Sequence, residues 1–177
     1  DEDRMTDEQH DPQSPDLIAH SAAFQERYTP YDTPRPRRRV AVVACMDARL
    51  DLFGLFGLEI GDAHLIRNAG GVVTDDVIRS LAISQRKLGT REVLLVHHTQ
   101  CGMLSFTDDE LRNELLEETG YKPPWSPESF VDLDADLTQS LRRVRTSPFL
   151  PHVDAVRGFV FHVEDGTLRE VVLPDQD

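Results

Sequence analysis

Cysteine is scarce in this chain: Cys45 and Cys101 are the only two among 177 residues. So few exclude a disulfide-dense secreted scaffold and an ordinary four-cysteine iron–sulfur cluster. Long apolar runs are missing as well. No stretch approaches the ~20 residues that span a bilayer, and no secretory h-region opens the sequence, so the cytoplasm is the expected location and no membrane partner is expected. Positive charge is in the minority. Nineteen lysines and arginines face 32 aspartates and glutamates, a net charge of −13. That balance argues against a nucleic-acid partner and against docking on anionic lipid. A hydrophobic content of 39% is nonetheless sufficient for one ordinary core at this length.

What is present alternates between strand and helix patterns. Residues 1–37 read as an acidic segment and helical arm, and residues 38–177 as one α/β zinc domain. In the arm the first dozen residues have little to bury and are expected to be disordered. Leu17, Ile18, Ala22, Ala23 and Phe24 suggest a helix, whose apolar stripe must lie on the core or on a neighbouring subunit. Four arginines between Pro34 and Arg39 read as a lead-in that is solvated or paired with the acidic arm, with an anion-binding patch as the alternative. Strands are expected at 39–45, 63–68 and 92–98. Helices are expected at 50–58, after the cap-like Thr74-Asp75-Asp76, after Thr107-Asp108-Asp109-Glu110, and over about 132–146. Val156–Val163 and Leu168–Val172 flank Glu164-Asp165-Gly166-Thr167, a hairpin signal. The expected fold is a mainly parallel central β-sheet flanked by helices, with a C-terminal antiparallel hairpin strand and an N-terminal helical arm.

Both cysteines fall where predicted strands end, the edge at which open α/β sheets gather ligands. In an extended segment Cys45, Asp47 and Arg49 project to one side. His98 and Cys101 lie three residues apart, and a turn there lets both converge on one ion. Two thiolates and one imidazole suit zinc and leave a tetrahedral position free, the pattern of a catalytic site. Inert core thiols or a single disulfide are the duller readings; iron is a weaker candidate, and Asp47 is the one nearby alternative fourth ligand. Arg49 can clamp Asp47, keeping it ionised and oriented as a proton acceptor. A purely structural Asp47–Arg49 pair is the bland reading. His97 points away from His98 while the strand persists and is assigned to core or interface. His64 reads as a partly exposed residue, with a proton shuttle as the speculative alternative.

Cys45-Met46-Asp47-Ala48-Arg49 together with His98-Thr99-Gln100-Cys101-Gly102 resembles the paired signature of β-class carbonic anhydrases. Arg67-Asn68-Ala69-Gly70-Gly71 resembles the stretch between those motifs. The likeness runs from about residue 38 to 172 and is strongest to the short archaeal and actinobacterial subclass. It implies Zn2+ on Cys45, His98 and Cys101, a catalytic pair of Asp47 and Arg49, and a small pocket lined around Gly70, Gly71 and Gly102. It also implies a homodimer, or an assembly of dimers, embraced by the helical arm. The implied reaction is reversible hydration of carbon dioxide to bicarbonate and a proton by zinc-bound hydroxide. Hydrolysis of carbonyl sulfide or carbon disulfide on the same scaffold is the nearest alternative. A non-catalytic zinc-binding interaction protein is the alternative from another class.

Overall fold

A computed structural model describes residues 11–173, so most of the expected disordered dozen lies outside the described residues. The described chain forms two units that meet between Asp32 and Thr33. The first contains helix α1, Ser14–Glu26, with proline in its opening turn, where the missing N–H costs no hydrogen bond. No residue of α1 is buried. The Phe24 and Tyr28 rings lie 5.5 Å apart just past a full turn of that helix.

The second unit is built on one five-stranded sheet of order β2-β1-β3-β4-β5. The strands are β1 Val40–Cys45, β2 Ala63–Asn68, β3 Glu92–His98, β4 Val156–Phe161 and β5 Leu168–Val171. Four run parallel, and β5 returns antiparallel to β4. The helices are α2 Leu52–Phe56, α3 Asp75–Arg86, α4 Asp108–Thr119 and α5 Leu133–Arg145. This is the expected fold.

Local chemistry explains the boundaries. Thr74 Oγ1 accepts the Val77 N–H at the start of α3, and Asp132 does the same for Ala135 at α5. Thr107 and Glu110 form a reciprocal capping box on α4, which satisfies two orphan donors at once. Alternation along β1 sorts the core. Ala41 and Val43 pack with Val77, Leu81, Leu137, Leu141 and Val144 on one face. Val42 and Ala44 pack with Leu50, Leu52, Val72, Val96 and Phe130 on the other. Cys45 joins this second group, although strict alternation would put it with Ala41 and Val43. The reason is that pairing of β1 with β3 stops at Ala44, so Cys45 is freed from the ladder on that side.

The arginine-rich lead-in meets a defined partner at the amino-terminal end of the sheet. Asp62 is buried just before β2 and holds Arg37 at 3.0 Å and Arg38 at 3.3 Å. The acid that meets Arg37 and Arg38 here thus lies in the turn before β2, whereas the sequence pattern points to the acidic arm.

Candidate metal centre

Three loops at the carboxyl edge of the sheet build the site: residues 45–50 after β1, 69–71 after β2, and 98–104 after β3. Cys45, His98 and Cys101 are all buried, and their ligand atoms lie within 4.8 Å of one another. The two sulfurs stand 4.0 Å apart and form no disulfide. Two sulfurs on one tetrahedral zinc, each ~2.3 Å from it, would stand about 3.8 Å apart, so the spacing fits.

The histidine is prepared for the same role. Its Nδ1 lies 2.8 Å from the carbonyl of Thr99. A carbonyl can only accept, so Nδ1 carries the proton and Nε2 keeps a lone pair. That Nε2 is buried and has no hydrogen-bond partner, an arrangement that costs free energy unless a cation receives the lone pair. The two sulfurs lie within hydrogen-bond distance of each other. A Cys101 thiol beside it lowers the Cys45 pKa, aided by His98 and by the backbone N–H groups of Asp47 and Gly70 and opposed by burial. The same contact raises the Cys101 pKa. A cation taking the place of the thiol proton would allow both sulfurs to be thiolates.

The paired glycines acquire a physical reason here. Gly70 and Gly71 have φ of +82° and +66°, a region that β-carbon-bearing residues adopt only at a cost. A β-carbon on Gly71 would sit 2.8 Å from the Cys45 nitrogen and 3.1 Å from the Val96 carbonyl oxygen. The 69–71 turn therefore lies directly against the ends of β1 and β3. Gly102 differs, because its side-chain direction opens onto free space.

Asp47 stands beside the three ligands and is held by Arg49. Its Oδ1 accepts from the Arg49 backbone N–H and from Nε, both at 2.9 Å, and Oδ2 accepts from Nη2 at 2.8 Å. Oδ2 also lies 3.6 Å from His98 Nε2. Hydrogen bonds from the Arg49 guanidinium keep the Asp47 carboxyl well below the usual carboxylate range, and the same bonds raise Arg49. The clamp thus favours the ionised carboxylate, whose Oδ2 lies beside the ligand atom of His98.

Other residues were assigned differently by the tertiary structure than by their place in the chain. Arg67 of β2 donates to three carbonyls of the loop after β1: Cys45 at 2.9 Å, Asp47 at 2.7 Å and Leu50 at 3.1 Å. Arg49 also reaches the Gln100 carbonyl at 3.0 Å, tying the two ligand-bearing loops together. Neither bond has a local sequence signal, because each joins residues distant in the chain. His97 is fully buried, with Nε2 2.7 Å from Asp136 and its ring stacked on Phe130, so the core reading of it stands. His64 pairs with Ala41, at the far end of the strands from Cys45. Both its nitrogens are engaged, by Ser84 and by the Pro34 carbonyl. Its position and partners fit a structural role and speak against the proton shuttle.

Residues 40–128 match the sequence profile of the family described as carbonic anhydrase. Beta-carbonic anhydrase 1 of Mycobacterium tuberculosis is 59% identical over 157 residues, covering 88% of this chain and 96% of that protein. The chain belongs to the β-carbonic anhydrase family. A solved carbonic anhydrase from Streptococcus mutans superimposes with a TM-score of 0.84 at 36% identity, covering 92% of this chain and 99% of that one. A carbon disulfide hydrolase of Saccharolobus solfataricus is 43% identical and covers 75% of this chain and 77% of that protein. β-Carbonic anhydrases use zinc, and the buried Cys45, His98 and Cys101 group could hold such an ion.

Proposed function

We propose that Cys45, His98 and Cys101 hold the zinc in this chain and that Asp47 and Arg49 manage the proton beside it. The reaction is the reversible hydration of carbon dioxide to bicarbonate and a proton, a lyase activity. One observation carries the assignment of roles. The orphaned Nε2 of His98 and two unbridged sulfurs converge on one point, while the nearest carboxylate is occupied by Arg49.

When bound, zinc would supply a Lewis acid that lowers the pKa of water for attack on carbon, less strongly with two thiolate ligands than with three imidazoles. The remaining work falls to the protein. His98 presents Nε2 because Thr99 holds the opposite nitrogen protonated. Arg49 holds Asp47 ionised and aims Oδ2 at the open side of the donor set. Oδ2 is the atom suited to accept a proton there, since one Nη2 contact leaves it further acceptor capacity. Carbon dioxide is small and uncharged and needs close approach more than charged contacts. Gly70 and Gly71 suit the inner wall of such a pocket and Gly102 its open rim.

Hydrolysis of carbonyl sulfide or carbon disulfide is the second reading, favoured by the similarity to carbon disulfide hydrolases. The higher identity to carbonic anhydrase supports hydration as the main activity. On one zinc-loaded preparation, stopped-flow hydration of carbon dioxide should far exceed sulfide release from either sulfur gas. Sulfide release with negligible hydration would overturn the substrate assignment. A non-catalytic zinc protein would have no use for the Asp47–Arg49 geometry.

The arm supports a homodimer or an assembly of dimers. Leu17 and Ile18 of α1 are 73% and 68% exposed, and such a stripe is expected to be covered by a second copy. Light scattering at micromolar concentration should give at least twice the chain mass, and a monomer there would refute this. Two free thiols fit a reducing, cytoplasmic setting. Among the described residues no helix is long and apolar enough to cross a membrane. The net charge of −13 weighs against a nucleic-acid partner.

A further inference from the structure

The turn between His98 and Cys101 contains a residue in an unfavourable backbone conformation. Gln100 has a φ of +52° without being glycine. Such positions persist only where their surroundings over-determine them, and they concentrate at functional sites. Here the surroundings can be followed bond by bond. The Gln100 carbonyl accepts from Arg49 Nη2 at 3.0 Å, and its amide Oε1 lies 3.5 Å from Arg49 Nη1. On its other side the amide Nε2 donates to Glu164 Oε1 at 2.9 Å. The second Glu164 oxygen accepts from the Thr99 hydroxyl at 2.7 Å, and that hydroxyl itself accepts from the Val163 N–H at 3.0 Å.

Glu164 thus uses both carboxylate oxygens on two consecutive residues of the ligand-bearing turn. It stands in the connection between β4 and β5, which is itself tightly closed. Gly166 N–H donates to the His162 carbonyl at 2.8 Å, and Asp165 accepts from both the N–H and the hydroxyl of Thr167. The support comes from a short, internally bonded turn.

The chemistry of the amide gives the arrangement a direction. An ionised carboxylate can only accept, so Gln100 must present its NH2 to Glu164. That leaves the amide oxygen for Arg49, whose guanidinium can only donate. Without Glu164 the amide is free to turn, and its reversed form would set N–H groups against N–H groups. Arg49 would then lose a contact on the side opposite Asp47.

We propose that Glu164 is a positioning residue, acting through Gln100 to fix Arg49 in the orientation that grips Asp47. The inference rests on the assignment of Asp47 and Arg49 given above. Glu164 touches neither the metal ligands nor the reacting atoms, so its effect should appear in turnover and not in zinc retention.

The test is a double-mutant cycle on the zinc-loaded enzyme, with Glu164→Ala, Glu164→Gln, Arg49→Ala and the Arg49→Ala/Glu164→Ala pair. Zinc stoichiometry, Tm and kcat for carbon dioxide hydration are measured on each. Glu164→Ala should lower kcat about five-fold with zinc content unchanged and Tm shifted by no more than about 2 °C. Glu164→Gln keeps an acceptor for Gln100 and a donor for the Thr99 oxygen, and should recover kcat to within about two-fold of the parent. In the Arg49→Ala background, Glu164→Ala should cost nothing further, because the group it acts on is gone. An unchanged kcat in Glu164→Ala, a matching loss of zinc, or an equal further loss on top of Arg49→Ala would each overturn the inference. Full activity in Arg49→Ala alone would overturn the underlying reading of the pair, a result distinct from the others.

Discussion

Of the three loops at the candidate metal centre, two carry the proposed ligands, and different parts of the molecule hold them. The loop after β1 carries one proposed ligand, Cys45, and Asp47, the proposed proton acceptor. Its backbone is braced by Arg67, whose guanidinium reaches three of its carbonyls from the neighbouring strand. The loop after β3 carries the other two proposed ligands, His98 and Cys101. It is held from the surface, by Arg49 on one side and Glu164 on the other. Carbonyls are satisfied in the first loop, and a strained turn is pinned in the second. The difference suggests a division of labour: Arg67 shapes the loop as a whole, whereas Arg49 spans both loops and governs the state of Asp47.

The largest break comes from the ligands themselves. Cys45→Ser should release zinc, leave the protein near zero metal per chain by elemental analysis, and abolish hydration, because a hydroxyl does not replace a thiolate on zinc. Arg49→Ala comes next. It should keep zinc at full stoichiometry yet lower kcat about 100-fold, the scale expected when a general base loses its orienting partner. Stopped-flow rates and metal analysis on one sample check both halves of that statement.

Arg67→Ala should act more broadly and less steeply. It strips three carbonyls of a charged donor, and solvent replaces only part of that loss. A cost of about 2–3 kcal/mol is expected, a fall in Tm of roughly 5–10 °C for a chain of this size, with kcat down about ten-fold. Arg67→Lys should recover little, since a single ammonium cannot fork to three acceptors. A variant with unchanged Tm would show that the brace is not structural.

The smallest effect on catalysis belongs to the opposite end of the sheet and serves as the contrast. Asp62 is held below the usual carboxylate range, first by the Glu59 N–H and then by Arg37. A lowered folded-state pKa adds stability above the ordinary carboxylate value of about 4, and that stability is lost as pH falls through the folded-state pKa. Asp62→Asn should therefore lower Tm by several degrees at pH 7, with the gap closing as pH falls below the ordinary carboxylate range, while kcat per folded enzyme stays unchanged. Thermal melts across that pH range would show it, and a gap that persists in acid would contradict it.

Much of this architecture was legible in the chain because its causes are local. The caps at Thr74 and Thr107 depend on residues three positions away, and the alternation in Val40–Ala44 reports the two faces of the sheet. The candidate ligands were legible for a different reason: the sequence has only two cysteines, and both fall with His98 at or just past predicted strand ends. What could not be read are bonds between residues with no sequence relation. The acid that meets the Arg37 and Arg38 guanidinia was unknown until Asp62 appeared beside them. The role of Arg67 depends on β2 lying parallel to β1 in the observed register, which no local pattern specifies.

By itself the amino-acid sequence determined the element order and the mainly parallel sheet, and it singled out Cys45, Asp47, Arg49, His98 and Cys101 as candidates for one site. Hydrophobic period, capping and residue scarcity are short-range properties, and they survive reading along a line. Only the tertiary structure decided which nitrogen of His98 faces the sulfurs, why Gly71 can bear no β-carbon, and how Gln100 is held in its left-handed turn between Arg49 and Glu164. Those outcomes depend on side chains and carbonyls brought within hydrogen-bond distance across strands. That distance is set by the packed sheet and by nothing in the order of the residues alone.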